Sequence, residues 1–105
     1  MTDRELLELA AKAAGIEWYG MAGDDNDSCA YFDIGPDEVV KWNPLRDDGD
    51  ALRLAVKLGI TFRHFGHKVS AVGTTQCDEY VGDDPYAATR RAIVRAAAEI
   101  GRQHD

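Results

Sequence analysis

Two helical stretches in the second half of the chain constrain its fold most. One follows "WNPLRDD" and spans roughly Asp48 to Leu58; the other begins at Pro85 and reads "PYAATRRAIVRAAAEIG". Both carry local start and stop signals. Asp47, Asp48 and Asp50 crowd the start of the first, where the positive end of the helix dipole favours carboxylates. Gly59 supplies its left-handed stop. The second has Asp84 as its cap and Pro85 at its first position, where a missing N–H costs nothing. A third helix is predicted over Thr2 to Ala14. Thr2 and Glu5 form a capping box there, and Gly15 ends it.

Taken in chain order, from Thr2–Ala14 to the helix that begins at Pro85, the three helices differ in how much apolar surface they present. The first has a polar arc of Arg4, Glu5, Glu8 and Lys12, which makes it an amphipathic surface helix. The second has only Asp50, Arg53 and Lys57 as a polar seam. Ala51, Leu52, Leu54, Ala55, Val56 and Leu58 cover the rest, so it is expected to be the most buried. On the third, Tyr86, Thr89, Ile93, Ala96, Ala97 and Ile100 form the core stripe, and Gly101 marks a fraying end.

Between the helices the signal is β with turns. "MAGDDNDS" is a polar loop, "CAYFD" and "EVVKW" are strand candidates, and "IGPDE" is a turn. "ITFRHFGHKVSAVG" reads as a hairpin turning near Phe65-Gly66, and "QCDEYV" as a further strand. Short hairpin connections favour antiparallel pairing, and wide apolar helix arcs need a sheet to cover. The expected fold is therefore α+β, an α-β-α sandwich. A mainly antiparallel sheet of about four strands lies between three helices packed on its two faces. At 105 residues this is one domain, residues 1–105.

Charge narrows the functions open to such a domain. Between Tyr19 and Asp50 stand nine acids and two bases, so that stretch carries the whole net charge of -7. Binding nucleic acid directly through a broad basic face is disfavoured, because phosphates need clustered Lys or Arg. Asp24, Asp25, Asp27, Asp37 and Glu38 form a candidate acidic surface; the plainer reading is solubility. No run approaches the roughly 18 apolar residues of a membrane span, and the N-terminus has no signal-peptide character. Cys29 and Cys77 do not suggest a disulfide framework. A cytoplasmic protein with two free thiols is expected, with no membrane partner.

The stretches "LLELAAKAAGIE", "WNPL", "DDGDALRLAVKLGI" and "DDPYAATRRAIVRAAAEIG" carry a family resemblance over roughly two thirds of the chain. They resemble the phage ABA sandwich domain family, small proteins of phages and prophages, and are also similar to the NinX-like proteins of lambdoid phages. The resemblance implies a sheet sandwiched between helices, in the cytoplasm of a host cell. It implies no catalytic residues, because the matching positions are mainly helix caps and core residues.

The side chains that could carry chemistry have plain structural readings beside them. Cys29, His64, His67 and Cys77 are soft-metal ligands, but no CxxC is present and His64 and His67 straddle a turn, so no metal is expected. "DDNDS" opens like a calcium loop, yet Cys29 stands where that loop needs Gly and Gly35 where it needs Glu. Arg91, Arg95 and Arg102 share an arc that reads as a phosphate-facing ridge or as a solvated face with an Arg95–Glu99 pair. Arg90 lies at the edge of the apolar stripe, so its charge must snorkel, meet a carboxylate or grip a ligand. Trp42-Asn43-Pro44 joins a strand to a helix and reads as a core plug with a rigid turn, or as a site loop. There is no strained Gly-Ser elbow and no phosphate-binding Gly-Lys-Ser/Thr loop.

Two functions from different classes follow. The first is a non-enzymatic phage or prophage accessory protein, without cofactor, that binds a host or phage protein through its acidic surface. A second copy of the chain is a further candidate partner. The alternative is a small-molecule or nucleotide-binding module, open to enzymatic activity, with Trp42, Asn43, Tyr86 and Arg90 around a pocket. A deep pocket with converging polar groups would favour the alternative.

Overall fold

The computed structural model of the chain describes residues 2–16, 30–35 and 38–103; for 30–35 and 38–41 it describes the backbone. The helix caps are those the sequence encodes. In α1 (Asp3–Ala14), Thr2 accepts from the Glu5 backbone N–H, while the Glu5 carboxylate accepts from the Thr2 backbone. Those hydrogen bonds hold the Glu5 carboxyl below its ordinary range. α2 (Asp48–Leu58) has Asp47 as its cap, and α3 (Pro85–Arg102) has Asp84. One Asp84 oxygen accepts from both the Tyr86 and Ala87 N–H groups at 3.1 Å, an arrangement worth about 1 kcal/mol. Gly15 and Gly59 take left-handed conformations (φ 71° and 67°) that end α1 and α2.

The strands fall into two sheets among the described residues, not one of about four strands. β1 (Ala30–Gly35) and β2 (Glu38–Trp42) form an antiparallel hairpin. β3 (Thr61–His64), β4 (Lys68–Val72) and β5 (Gln76–Tyr80) form a separate antiparallel sheet in that order. The β3–β4 turn lies at Phe65-Gly66, as its sequence indicates, with Gly66 at φ 85°. The α+β class holds. No helix among the described residues is long and apolar enough to cross a membrane.

The helices do not divide between two faces of a sheet. α3 packs on β4 and β5, and α1 and α2 pack against α3. The alternation of β4 and β5 shows why. Val69, Ala71 and Cys77 are buried towards the helix layer, whereas Thr61, Arg63, Val72, Gln76, Asp78 and Tyr80, of the opposite parity, are exposed; Ser70 shares that parity but is buried. On that open face Asp78 accepts from Ser70 Oγ at 2.5 Å and from Gln76 Nε2 at 3.0 Å, and pairs with Lys68. Burial would be costly for such a network unless every group were satisfied.

α3, not α2, is the most buried helix. It buries Ala88, Ala92, Ile93, Val94, Ala96, Ala97, Ala98 and Gly101. α2 buries only Ala51, Leu54 and Ala55, leaving Leu52 54% and Val56 74% exposed. A wide apolar arc on a helix is buried only where neighbours exist to cover it. Gly101 is likewise not a fraying end. It is buried inside α3 where α1 crosses, and a Cβ there would stand 2.0 Å from the Leu9 carbonyl oxygen. The crossing therefore needs a residue without a side chain.

Two expectations follow from this packing. Gly101→Ala should lower stability by about 1–3 kcal/mol through overpacking, despite the roughly 1 kcal/mol helix-propensity gain of Ala over Gly; thermal or urea melts would show it. Asp78 is held below the ordinary carboxylate range, first by the Ser70 hydroxyl and then by Gln76. A depressed folded-state pKa contributes stability above the unfolded value and loses it as pH falls through the folded one. Ser70→Ala should move the Asp78 titration upward, as followed by carboxyl-carbon NMR, and should reduce the dependence of stability on pH in the acid limb.

Candidate functional site

A mainly apolar concavity lies between α2, β3 and the N-terminal half of α3. It has a volume of about 500 Å³, within the roughly 300–1,000 Å³ range of small-molecule sites. Ala51 and Leu52 of α2, Phe62 of β3, and Pro85, Tyr86 and Ile93 of α3 supply its apolar walls. The alternation of β3 turns Phe62 and His64 to the α3 side of the sheet, because they pair with Ala71 and Val69. On α3, Tyr86, Thr89, Arg90 and Ile93 fall on one face by their i, i+3, i+4, i+7 spacing.

Four polar residues, Asp48, His64, Thr89 and Arg90, line the same cleft. Arg90 donates from Nε to the Leu45 carbonyl at 2.9 Å and from Nη1 to Asp48 Oδ1 at 2.6 Å. Its side chain is 16% exposed and that of Asp48 is 67%. The charge at the edge of the apolar stripe is thus compensated internally, by a carboxylate and a carbonyl together. His64 Nε2 meets Thr89 Oγ1 at 2.9 Å. That spacing resembles a base beside a nucleophile, but the polarity is wrong. The Thr89 hydroxyl donates its one hydrogen to the Pro85 carbonyl at 2.7 Å. The imidazole is therefore the donor to Thr89, not the acceptor of its proton.

Of the residues expected around a pocket, Tyr86 and Arg90 line this cleft, and Trp42 and Asn43 do not. Trp42 is buried in the core and Asn43 is buried beside it. Asn43 serves the turn into α2. Its backbone N–H donates to Asp50 Oδ2 at 2.9 Å, its Oδ1 accepts from the Leu45 N–H at 3.1 Å, and its carbonyl accepts from Asp47 at 2.8 Å. A short polar side chain at a strand-to-helix turn is drawn to its own backbone. Tyr86 departs from its expected core role. It lies in the first turn of α3, at the mouth of the cleft, and is 68% exposed.

Asp24, Asp25, Asp27 and Asp37 of the acidic surface, and Cys29, lie outside the described residues. Glu38 opens β2, its backbone paired with Gly35. Among the described residues no group of three His, Cys, Asp or Glu side chains gathers around a common point. His67 stacks on Tyr80 with ring centres 6.2 Å apart. Cys77 is buried, and desolvation pushes its thiol up, the opposite of what activates a nucleophile.

The arginine ridge of α3 is occupied by protein carboxylates. Arg91 pairs with Asp3 at 3.0 Å, Arg102 with Glu99 at 3.0 Å, and Arg95 with Glu79 and the Asp78 carbonyl. Arg95 thus turns to the sheet rather than to Glu99. Leu52, Phe62, His64 and Thr89 are among the cleft residues that sequence reasoning did not bring together around Tyr86 and Arg90. The available signal was strand parity, which puts Phe62 and His64 on the helix-facing side.

Removing Arg90 tests its part in the fold. Arg90→Ala should lower stability by about 1–3 kcal/mol, because the part-buried Leu45 carbonyl loses its donor and the stem leaves a gap. A denaturant midpoint equal to that of the parent chain would show that water replaces the guanidinium without loss.

Comparison with protein-family models, with curated proteins and with solved structures finds no match.

Proposed function

We propose that the chain is a small binding module that takes an apolar ligand group in the cleft between α2, β3 and α3, without catalysing a reaction on it. One observation carries this reading. A mainly apolar cleft of about 500 Å³ is rimmed by large apolar side chains left in solvent, Leu52 at 54%, Phe62 at 39% and Tyr86 at 68% exposure. Exposed apolar surface concentrated in this way marks a site of interaction. The absence of catalytic character in the reading rests on the polar groups. Thr89 is committed to Pro85, His64 to Thr89, and Arg90 to Leu45 and Asp48.

A second reading draws on the charge distribution. The whole net charge of -7 sits between Tyr19 and Asp50, a stretch that includes the β1–β2 hairpin. That supports recognition of a basic protein partner, in keeping with a phage or prophage accessory protein acting in a host cytoplasm. Its mark is partner capture that weakens as ionic strength rises.

The neutral fluorophore N-phenyl-1-naphthylamine tests the first reading. It should brighten on binding the parent chain. Leu52→Asp leaves the core untouched and places a charge on the cleft wall, so it should weaken that binding about tenfold, equivalent to roughly 1.4 kcal/mol. Equal binding by both proteins would place the apolar site elsewhere.

A further inference from the structure

We infer that the cleft selects an amphipathic carboxylate, with its apolar body between Leu52, Phe62 and Ile93 and its carboxylate on Arg90. The inference rests on the cleft being the binding site and adds the chemical class of the occupant.

Arg90 has donors to spare. A guanidinium offers five N–H groups in a planar fork. Nε is taken by the Leu45 carbonyl and Nη1 donates to Asp48, while Nη2 has no acceptor among the described residues. The side chain is only 16% exposed yet lines the cleft. Its two bonds fix the guanidinium plane before any ligand arrives, so little further ordering is needed to bind an anion. The counter-charge is weakly held in place. Asp48 is 67% exposed, so its carboxylate can yield part of the fork to an incoming one at small cost. Arg also suits carboxylates geometrically, because the two planar groups match edge to edge.

The rest of the cleft selects against other ligand classes. Beyond Arg90 and its partner Asp48, the polar groups of the walls are His64 and Thr89, which are bonded to each other. A sugar or a nucleotide phosphate chain would leave many polar groups without partners, which is costly in such a setting. A purely apolar ligand would leave the remaining Arg90 donors without an acceptor. A cation would face Arg90. A carboxylate with an aliphatic or aryl body satisfies both parts of the site. Asp48 acts here as a competitor for Arg90, so it sets affinity without touching the apolar body.

Decanoate, decanol and decyltrimethylammonium test this on the full chain by two-dimensional NMR titration at low ionic strength. Decanoate should bind more tightly than decanol and shift the resonances of Leu52, Phe62, Tyr86 and Ile93. Asp48→Asn keeps the helix cap, which is Asp47. It should tighten decanoate roughly two- to fivefold, the scale of one exposed charge pair, and leave decanol unchanged. Added salt should narrow the gap between decanoate and decanol. If decanol binds as tightly as decanoate, or Asp48→Asn moves both equally, the carboxylate assignment is overturned and the apolar cleft stands. Preference for decyltrimethylammonium overturns it too, since Asp48 would then be the binding group. If none of the three shifts the cleft resonances, both the assignment and the cleft as a binding site fall.

Discussion

The structure depends on α3 being approachable from almost every side. Its buried residues are six alanine or glycine positions with Ile93 and Val94 between them. Around a helix these positions span nearly the full circumference at 100° per residue. Small side chains bring neighbouring backbones close and lose almost no rotamer freedom when buried. α1 exploits this most, crossing where Gly101 lets the Leu9 carbonyl approach. The sheet takes a second side of α3 and α2 a third. Larger residues on α3 would push all three neighbours outward together.

The cleft is a consequence of that arrangement. α2 and β3 both lean on α3, but they are joined by the sharp turn at Gly59 and make little contact with each other. The space between them is left open above the first turns of α3, where Tyr86, Thr89 and Arg90 project. Burying Ala51, Leu54 and Ala55 consumes one side of α2, so Leu52 and Val56 face solvent. A bulky residue at position 51 would close the gap from within. Alanine there lets α2 seat on α3 while the flanking Leu52 lines a wall.

Elements were legible in the sequence where the signal is local. Thr2 with Glu5, Asp47, Asp84 with Pro85, and the glycines at 15, 59 and 66 act within one turn of chain, and the element ends fall beside them. Burial was less legible, because it depends on neighbours distant in sequence. The apolar arc of α2 looked like the deepest core, yet among the described residues no element covers Leu52 and Val56. Gly101 looked like a helix end, since nothing within its own helix reveals that Leu9 lies 92 positions earlier against it. Within the site, Arg90 and Tyr86 could be placed on a shared face by helical angle. Trp42 and Asn43 stand near them in the chain's logic but point to the core and to the turn. That Phe62 and His64 complete the cleft required knowing that β3 flanks α3 on the α2 side.

The acidity of the chain and its exposed apolar cleft are compatible demands rather than rival signs. An apolar rim containing Leu52, Phe62 and Tyr86 would by itself invite indiscriminate association. A net charge of -7 sets a general repulsion between copies that acts over about a Debye length, roughly 8–10 Å in physiological salt. Contact at the cleft is shorter in range and needs an occupant that fits. The same field works against an incoming carboxylate, so a site for one must supply its own local cation. Arg90 does so while also tying Leu45 and Asp48 to α3. A lysine could not do both, because its single ammonium has no planar fork with which to hold a carbonyl, a carboxylate and a ligand in fixed directions.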